Sequence, residues 1–128
     1  MPYINKPKKN YNAKRQKMDI DKKKRAEVYN SALWRRMREA KQMAHPICEI
    51  CDMIGRVNLT EDIHHLRSFT EYSGTERDAI AYDYNNLLAV CKEHHQLLHH
   101  GYLQGATTLE EIKERIMIHE NQSLLDDK

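Results

Sequence analysis

No apolar run in this chain approaches the ~20 residues that a membrane-spanning helix needs, so a membrane protein of helical type is not expected. The amino terminus, MPYINKPKKN, is basic but lacks the apolar stretch of a secretory signal. A cytoplasmic, intracellular protein is therefore the expectation. Cysteine is scarce and odd in number: Cys48, Cys51 and Cys91. Three thiols do not make a simple disulfide framework, which argues against a disulfide-stabilised secreted domain. There is no internal repeat. With 40% apolar residues in 128, the chain can bury only a small core, which a bound metal would help to hold.

Charge is present in both signs but unevenly placed. Residues 1–25 hold ten Lys/Arg against Asp19 and Asp21, a net +8; the remainder, with eleven basic and seventeen acidic residues, stands at −6. A basic arm on an acidic body fits a polyanion partner such as nucleic acid; a solubilising tail fits the charge equally well. Residues 1–17, with two prolines and no apolar period, read as flexible, and the arm as a whole is placed at 1–25. A domain over 26–120 and a frayed tail over 121–128 complete the layout.

Helical spacing of Ala26, Tyr29, Leu33, Met37 and Ala40 predicts helix over roughly 20–44, with a break near Asn30, a cap at Ser31 and an end at Pro46. Trp34 reads as a core anchor, and Arg35, Arg36 and Arg38 as a solvated face. Residues 47–66 read as a turn and a short strand or hairpin, 67–85 as a loop with at most one helical turn, and LLAV at 87–90 as a strand. A short helix over 92–100 closes at Gly101. A final helix starts at Thr108, with Glu111 completing a capping box and Leu109, Ile112 and Ile116 as its buried stripe. Tyr82 and Tyr84 read as core or loop anchors.

Against this background the histidines and cysteines stand out. Cys48 and Cys51 form a CxxC, Cys91 and His94 a CxxH, and 39 residues separate the pairs. A two-residue gap lets both side chains of a pair reach one ion, and zinc takes four N/S ligands in a tetrahedron. The expectation is a closed, structural Zn2+ site that clamps two distant segments. His94 also sits in the run CKEHHQLLHH, which holds four of the eight histidines. On a helix His95 and His99 lie about 40° apart, whereas His94 is turned about 100° from His95. Upstream, His64 and His65 in DIHHL point to opposite faces if that segment is a strand, so one can bind metal while the other meets substrate. His100 reads as a helix C-terminal residue, and His45 and His119 have no evident partner.

The ordered set IHHL at 63–66, Asn86, and NLLAVCKEHH at 86–95 resembles the HNH endonucleases, the ββα-metal nucleases. The segment YNSALWRRMREAKQMAHPICEIC is similar to the helix and first CxxC of small phage-type members, so the resemblance spans about residues 28–100. It implies an α+β fold: a ββα-metal core with a structural zinc site and flanking helices. It implies a DNA endonuclease in which His65 is the general base. His64, His95 and, by a pattern found in some members, His99 would bind a catalytic divalent ion. Asn86 would orient the base loop or contact the ion. The chain departs from the family pattern in having His94 in place of the second Cys of the later pair and His64 where many members carry Asp. Imidazoles suit Zn2+, Ni2+, Co2+ or Mn2+ better than Mg2+, which leaves the catalytic metal open. Lys8, Lys9, Lys14, Arg15 and Arg67 are the candidate phosphate contacts. Phage packaging or host DNA-processing proteins are candidate partners. The competing reading is a non-catalytic, zinc-stabilised nucleic-acid-binding module. That reading needs no His65–Asn86–His95 set, and its recognition helix would carry more than Lys92, which Glu93 offsets.

Overall fold

A computed structural model describes residues 9–126. The first helix, α1, runs Lys9–Tyr29. From residue 9 on, helix thus stands where an irregular arm was expected; the earlier part of that arm lies outside the described residues. The reason is legible in the chemistry: between Pro7 and Pro46 there is neither Pro nor Gly, and Lys, Arg, Ala, Gln and Met favour helix. Most of α1 is exposed, and Val28 near its end is fully buried. Lys24 Nζ donates to the Thr70 carbonyl (2.9 Å) and Lys17 pairs with Glu71 (3.0 Å), fastening the helix to the loop after the first strand.

Ser31 breaks the helix as expected. Its Oγ accepts from the Trp34 N–H (3.2 Å), donates to the Val28 carbonyl (2.6 Å) and lies 3.0 Å from the Tyr82 hydroxyl. Helix α2, Ala32–Ala44, follows. The break resets the helical phase, so Trp34, Met37 and Lys41 face inward, while Leu33 and Ala40, which carried the helical spacing, are exposed. Lys41 is nearly buried. Its ammonium meets Glu49 (3.3 Å) and the face of the Tyr84 ring (5.0 Å), and Glu49 in turn accepts from the Ala89 N–H (2.8 Å).

The segment expected as a strand or hairpin is divided. Ile47 bridges Leu59, and between them lies a short helix, α3, Glu49–Met53. Strand β1, Asp62–His65, then pairs antiparallel with β2, Leu87–Val90, in the register Asp62↔Val90 through His65↔Leu87. The polar stretch between them, expected as a loop, contains an eight-residue helix, α4, Gly74–Ala81, begun by Ser73. Helix α5, Lys92–His100, ends at Gly101, where a Cβ would meet Leu97 at 2.6 Å. Helix α6, Leu109–Asp126, starts with the expected bond from the Glu111 N–H to Thr108 Oγ1 (3.1 Å). It buries Ile112 and Ile116, while Leu109 in its first turn stays 36% exposed. The helix also carries through most of the tail expected to fray. Among the described residues no helix is long and apolar enough to cross a membrane.

The two strands separate two cores. Strand alternation sends Leu88 and Val90 toward Cys48, Cys51, Cys91, Leu98, Ile112 and Ile116. It sends Leu87 the other way, to Val28, Trp34, Phe69 and Ala81. Directly opposed residues share a face, so His64 follows Leu88 toward α5, while His65 follows Leu87 toward Trp34. Trp34 is the largest side chain of the second core. Trp34→Ala is expected to cost about 3–5 kcal/mol, read as a lowered urea midpoint in equilibrium unfolding; an unchanged midpoint would show that this core carries little of the stability.

Candidate functional site

The first cluster joins the N-terminal ends of two helices. Cys48 caps α3 and Cys51 lies in it; Cys91 precedes α5 and His94 lies in its first turn. All four are buried. Cys51 Sγ and Cys91 Sγ are 3.8 Å apart, and His94 Nδ1 lies 3.3 Å from each of them and 3.6 Å from Cys48 Sγ. A tetrahedral zinc with bonds of about 2.3 Å to sulfur and about 2.05 Å to nitrogen has S–S edges of about 3.8 Å and S–N edges of about 3.6 Å. The donor set therefore fits one ion in size and in kind.

Its electrostatics agree. Burial pushes the thiols up, Cys51 to about 12; at Cys48 burial also acts upward, but hydrogen bonds from His94, the Cys51 and Cys91 backbone and the Cys51 thiol together outweigh it and hold the thiol at about 6. Protein groups alone therefore favour one thiolate of the three, and a bound cation would be needed to ionise the others. Asn58 Nδ2 donates to Cys51 Sγ (3.3 Å) and the Cys51 N–H to Cys48 Sγ (3.4 Å), support typical around a thiolate ligand.

The second cluster lies across α5. With His94 turned into the core, His95 and His99 emerge together on the next face, and His64 reaches them from β1. Donor atoms of His64, His95 and His99 lie within 4.8 Å of one another. The Nε2 atoms of His95 and His99 are 3.0 Å apart. Two nitrogens on one ion at about 2.1 Å, set at right angles, would also lie about 3.0 Å apart. Burial, then the neighbouring His99 and His95, push the His64 ring down to about 3, and burial also lowers His99. Neutral imidazole is the metal-binding form. Asp62 Oδ2 lies 3.1 Å from His95 Nδ1, so a proton on Nδ1 leaves Nε2 free as the ligand atom. The sequence reading missed Asp62; its signal was its place two residues before His64, on the same strand face.

His65 occupies the other face and is 8% exposed. Its ring stacks on Trp34 (centroids 4.7 Å, 22°) and meets Phe69 edge-on (4.9 Å). Its Nε2–H donates to the Ala81 carbonyl (2.9 Å), so Nδ1 carries the lone pair of the neutral ring. Burial lowers its pKa below the ordinary imidazole value, and the Ala81 contact partly opposes this.

Asn86 is brought near these residues but not into the same space. Its Oδ1 accepts from the Arg67 N–H (2.8 Å), and its Nδ2 donates to the carbonyls of Arg67 (3.0 Å) and Ile80 (3.2 Å). The amide thus ties the chain just after β1 to the end of α4, whose Ala81 carbonyl holds His65. All of these partners of the Asn86 amide are backbone groups of Arg67 and Ile80.

His64, His65, His95 and His99 line one cavity of about 670 Å³, together with Asp62, Arg25, Arg38 and Trp34. Of the expected phosphate contacts, Arg67 lies outside that lining and its guanidinium reaches Tyr72 (3.3 Å). Lys14 and Arg15 are exposed along α1. Lys8 and the side chain of Lys9 lie outside the described residues. Arg38 is exposed, as expected of a solvated face, and is also part of the cavity wall. His45 meets Glu49 (3.6 Å), and His119 stacks on Tyr102 (3.9 Å).

The sequence matches no family model and no curated protein. Among solved structures, the manganese-bound HNH endonuclease of the deep-sea thermophilic bacteriophage GVE2 shares the fold. The TM-score is 0.51 at 20% identity, covering 65% of this chain and 85% of that one. The fold shared with that endonuclease is a small α+β architecture with a two-stranded sheet; this chain carries on it a candidate metal cluster of three cysteines and one histidine. For that cluster, Cys48→Ser is expected to remove one equivalent of bound zinc by elemental analysis and to abolish the cooperative thermal transition. Full zinc content with unchanged melting would contradict a structural role.

Proposed function

We propose that this protein is a metal-dependent DNA endonuclease of the HNH type. It hydrolyses phosphodiester bonds with His65 as general base, and residues 26–120 form the nuclease domain. The observation that carries the reading is the arrangement of His65. A neutral imidazole, held by a backbone carbonyl and an indole face, lines the same cavity as three histidines with metal-binding spacing. A zinc-stabilised binding module would have no use for that second group.

In this reading Cys48, Cys51, Cys91 and His94 hold a structural Zn2+ that leaves no position for substrate. His64, His95 and His99 hold the catalytic divalent ion, Mg2+, Mn2+, Ni2+ or Zn2+, and their imidazoles favour the softer members of that set. Such an ion, when bound, stabilises charge on the phosphate and on the leaving 3′-oxygen. The chain's own groups do the rest. His65 Nδ1 takes a proton from the water that attacks phosphorus, and the bond from Nε2–H to Ala81 strengthens as the ring becomes positive. Asp62 keeps His95 in one tautomer and one orientation. Asn86 holds the two segments that meet at His65. Lys14 and Arg15 on α1, with Lys8 and Lys9 before them, add salt-dependent contacts to the DNA backbone. The structural neighbour is a phage enzyme. A phage-encoded protein acting in the cytoplasm of an infected host, beside packaging or host DNA-processing proteins, is part of the same proposal.

Plasmid DNA is expected to be nicked or cut when a divalent metal is added. His65→Ala should lower the rate by about 10²–10⁴-fold with zinc content unchanged. The base works deprotonated and its pKa is lowered, so at saturating metal the acid limb of the rate profile should fall below pH 6.5. Wild-type rates in His65→Ala protein would remove His65 from the mechanism.

A further inference from the structure

The first two helices form a hairpin whose inner side has a regular order. On α1, Arg25 and Tyr29 are four residues apart; on α2, Trp34, Arg38 and Gln42 follow at the same step, so each set lies along one helix face. All five line the histidine cavity. The inner ends of the two rows touch, with Tyr29 and Trp34 ring centroids 5.4 Å apart, and both rings approach His65, at 6.1 and 4.7 Å. One turn away from the rings on each helix come the guanidinium side chains of Arg25 and Arg38, both exposed, and Gln42 lies one turn past Arg38. Asp62, His64, His95 and His99 line the same cavity from β1 and α5.

Among the described residues these are the two Lys/Arg side chains that line the cavity. Lys17, Lys41, Arg77 and Arg115 each face a carboxylate within 4.0 Å. Among the described residues neither Arg25 nor Arg38 has such a partner. Beyond residue 25 the chain carries a net −6, so a polyanion entering the cavity needs fixed positive charge at that point. A guanidinium is always ionised and presents paired donors that match the oxygens of a phosphate.

We propose that Arg25 and Arg38, one from each arm of the α1–α2 hairpin, form a clamp for the phosphodiester backbone of DNA at the mouth of the histidine cavity. This rests on the nuclease reading of that cavity and assigns its substrate-gripping wall. The clamp is distinct from Lys14 and Arg15, which lie ten or more residues earlier on α1, about 15 Å along the helix from Arg25. The hairpin thereby couples two tasks. Its Tyr29–Trp34 end supports the base, and its arginine end draws the backbone toward it.

The test is equilibrium binding of the full chain to a fluorescently labelled duplex, measured by anisotropy without added divalent metal across a salt series. The double variant Arg25→Gln/Arg38→Gln should bind at least about tenfold more weakly at low salt and flatten the slope of log K against log salt by about 2, as expected for two lost phosphate contacts. Arg35→Gln/Arg36→Gln removes the same charge from the part of α2 outside the cavity, and should change the slope by less than half as much. Circular dichroism and zinc content serve to confirm that both variants are folded. An unchanged slope in the first variant, or equal flattening in the second, overturns the clamp. DNA that wild type binds through these arginines but does not cut on adding metal supports the clamp and counts against the nuclease reading alone.

Discussion

The contacts among Cys48, Cys51, Cys91 and His94 constrain nearly everything else in this structure. They join segments about forty residues apart in a chain with a small core. They also fix the rotation of α5 about its own axis. Once His94 is buried at 2% exposure, the 100° step of the helix sends His95 to the neighbouring face, and His99 follows one turn later. A structural cluster thus sets the direction of the residues proposed to hold a second ion. The adjacency of His94 and His95 is the point where the two sites are coupled.

The two-stranded sheet adds a second division of labour. Alternation along β1 puts Asp62 and His64 on the α5 side and Ile63 and His65 on the Trp34 side. The proposed metal ligand His64 and the proposed base His65 therefore come from one four-residue strand and leave it on opposite faces. The environments differ as the tasks require. His64 is partly buried among other imidazoles; burial first, then these neighbours, disfavour a proton and leave nitrogen lone pairs available. His65 lies between aromatic rings, with one nitrogen committed to a carbonyl and the other left to accept. The groups that hold His65 are anchored in turn. The Trp34 N–H donates to Ser31 Oγ, as does the Tyr82 hydroxyl, and the Asn86 amide donates to the Ile80 carbonyl beside Ala81. The setting of His65 therefore depends on the hairpin break and on the turn before β2 as well as on its own strand.

Much of this was legible in the sequence because it rests on spacing. The CxxC and CxxH pairs, the Ser31 cap, the β2 run and the Thr108–Glu111 start each follow from residues a few positions apart. The rest depended on tertiary context. Helix α1 reaches back over residues with a solvated composition because nothing interrupts it. Helix α4 is short and mostly polar, so periodicity gave little warning of it. Leu33, Ala40 and Leu109 carried the right spacing on the wrong face. A backbone carbonyl such as that of Ala81 leaves no trace in a sequence, and Arg38 resembled any surface arginine until α1 was placed beside α2.

Two neighbouring imidazoles, His94 and His95, are proposed to serve two different ions. Anomalous diffraction from crystals of the full chain grown with zinc and soaked in manganese distinguishes them. A zinc peak is expected within the Cys48, Cys51, Cys91 and His94 tetrahedron, and a separate manganese peak bounded by His64, His95 and His99. A single ion shared by His94 and His95, or no peak among the three histidines at saturating metal, would contradict this assignment.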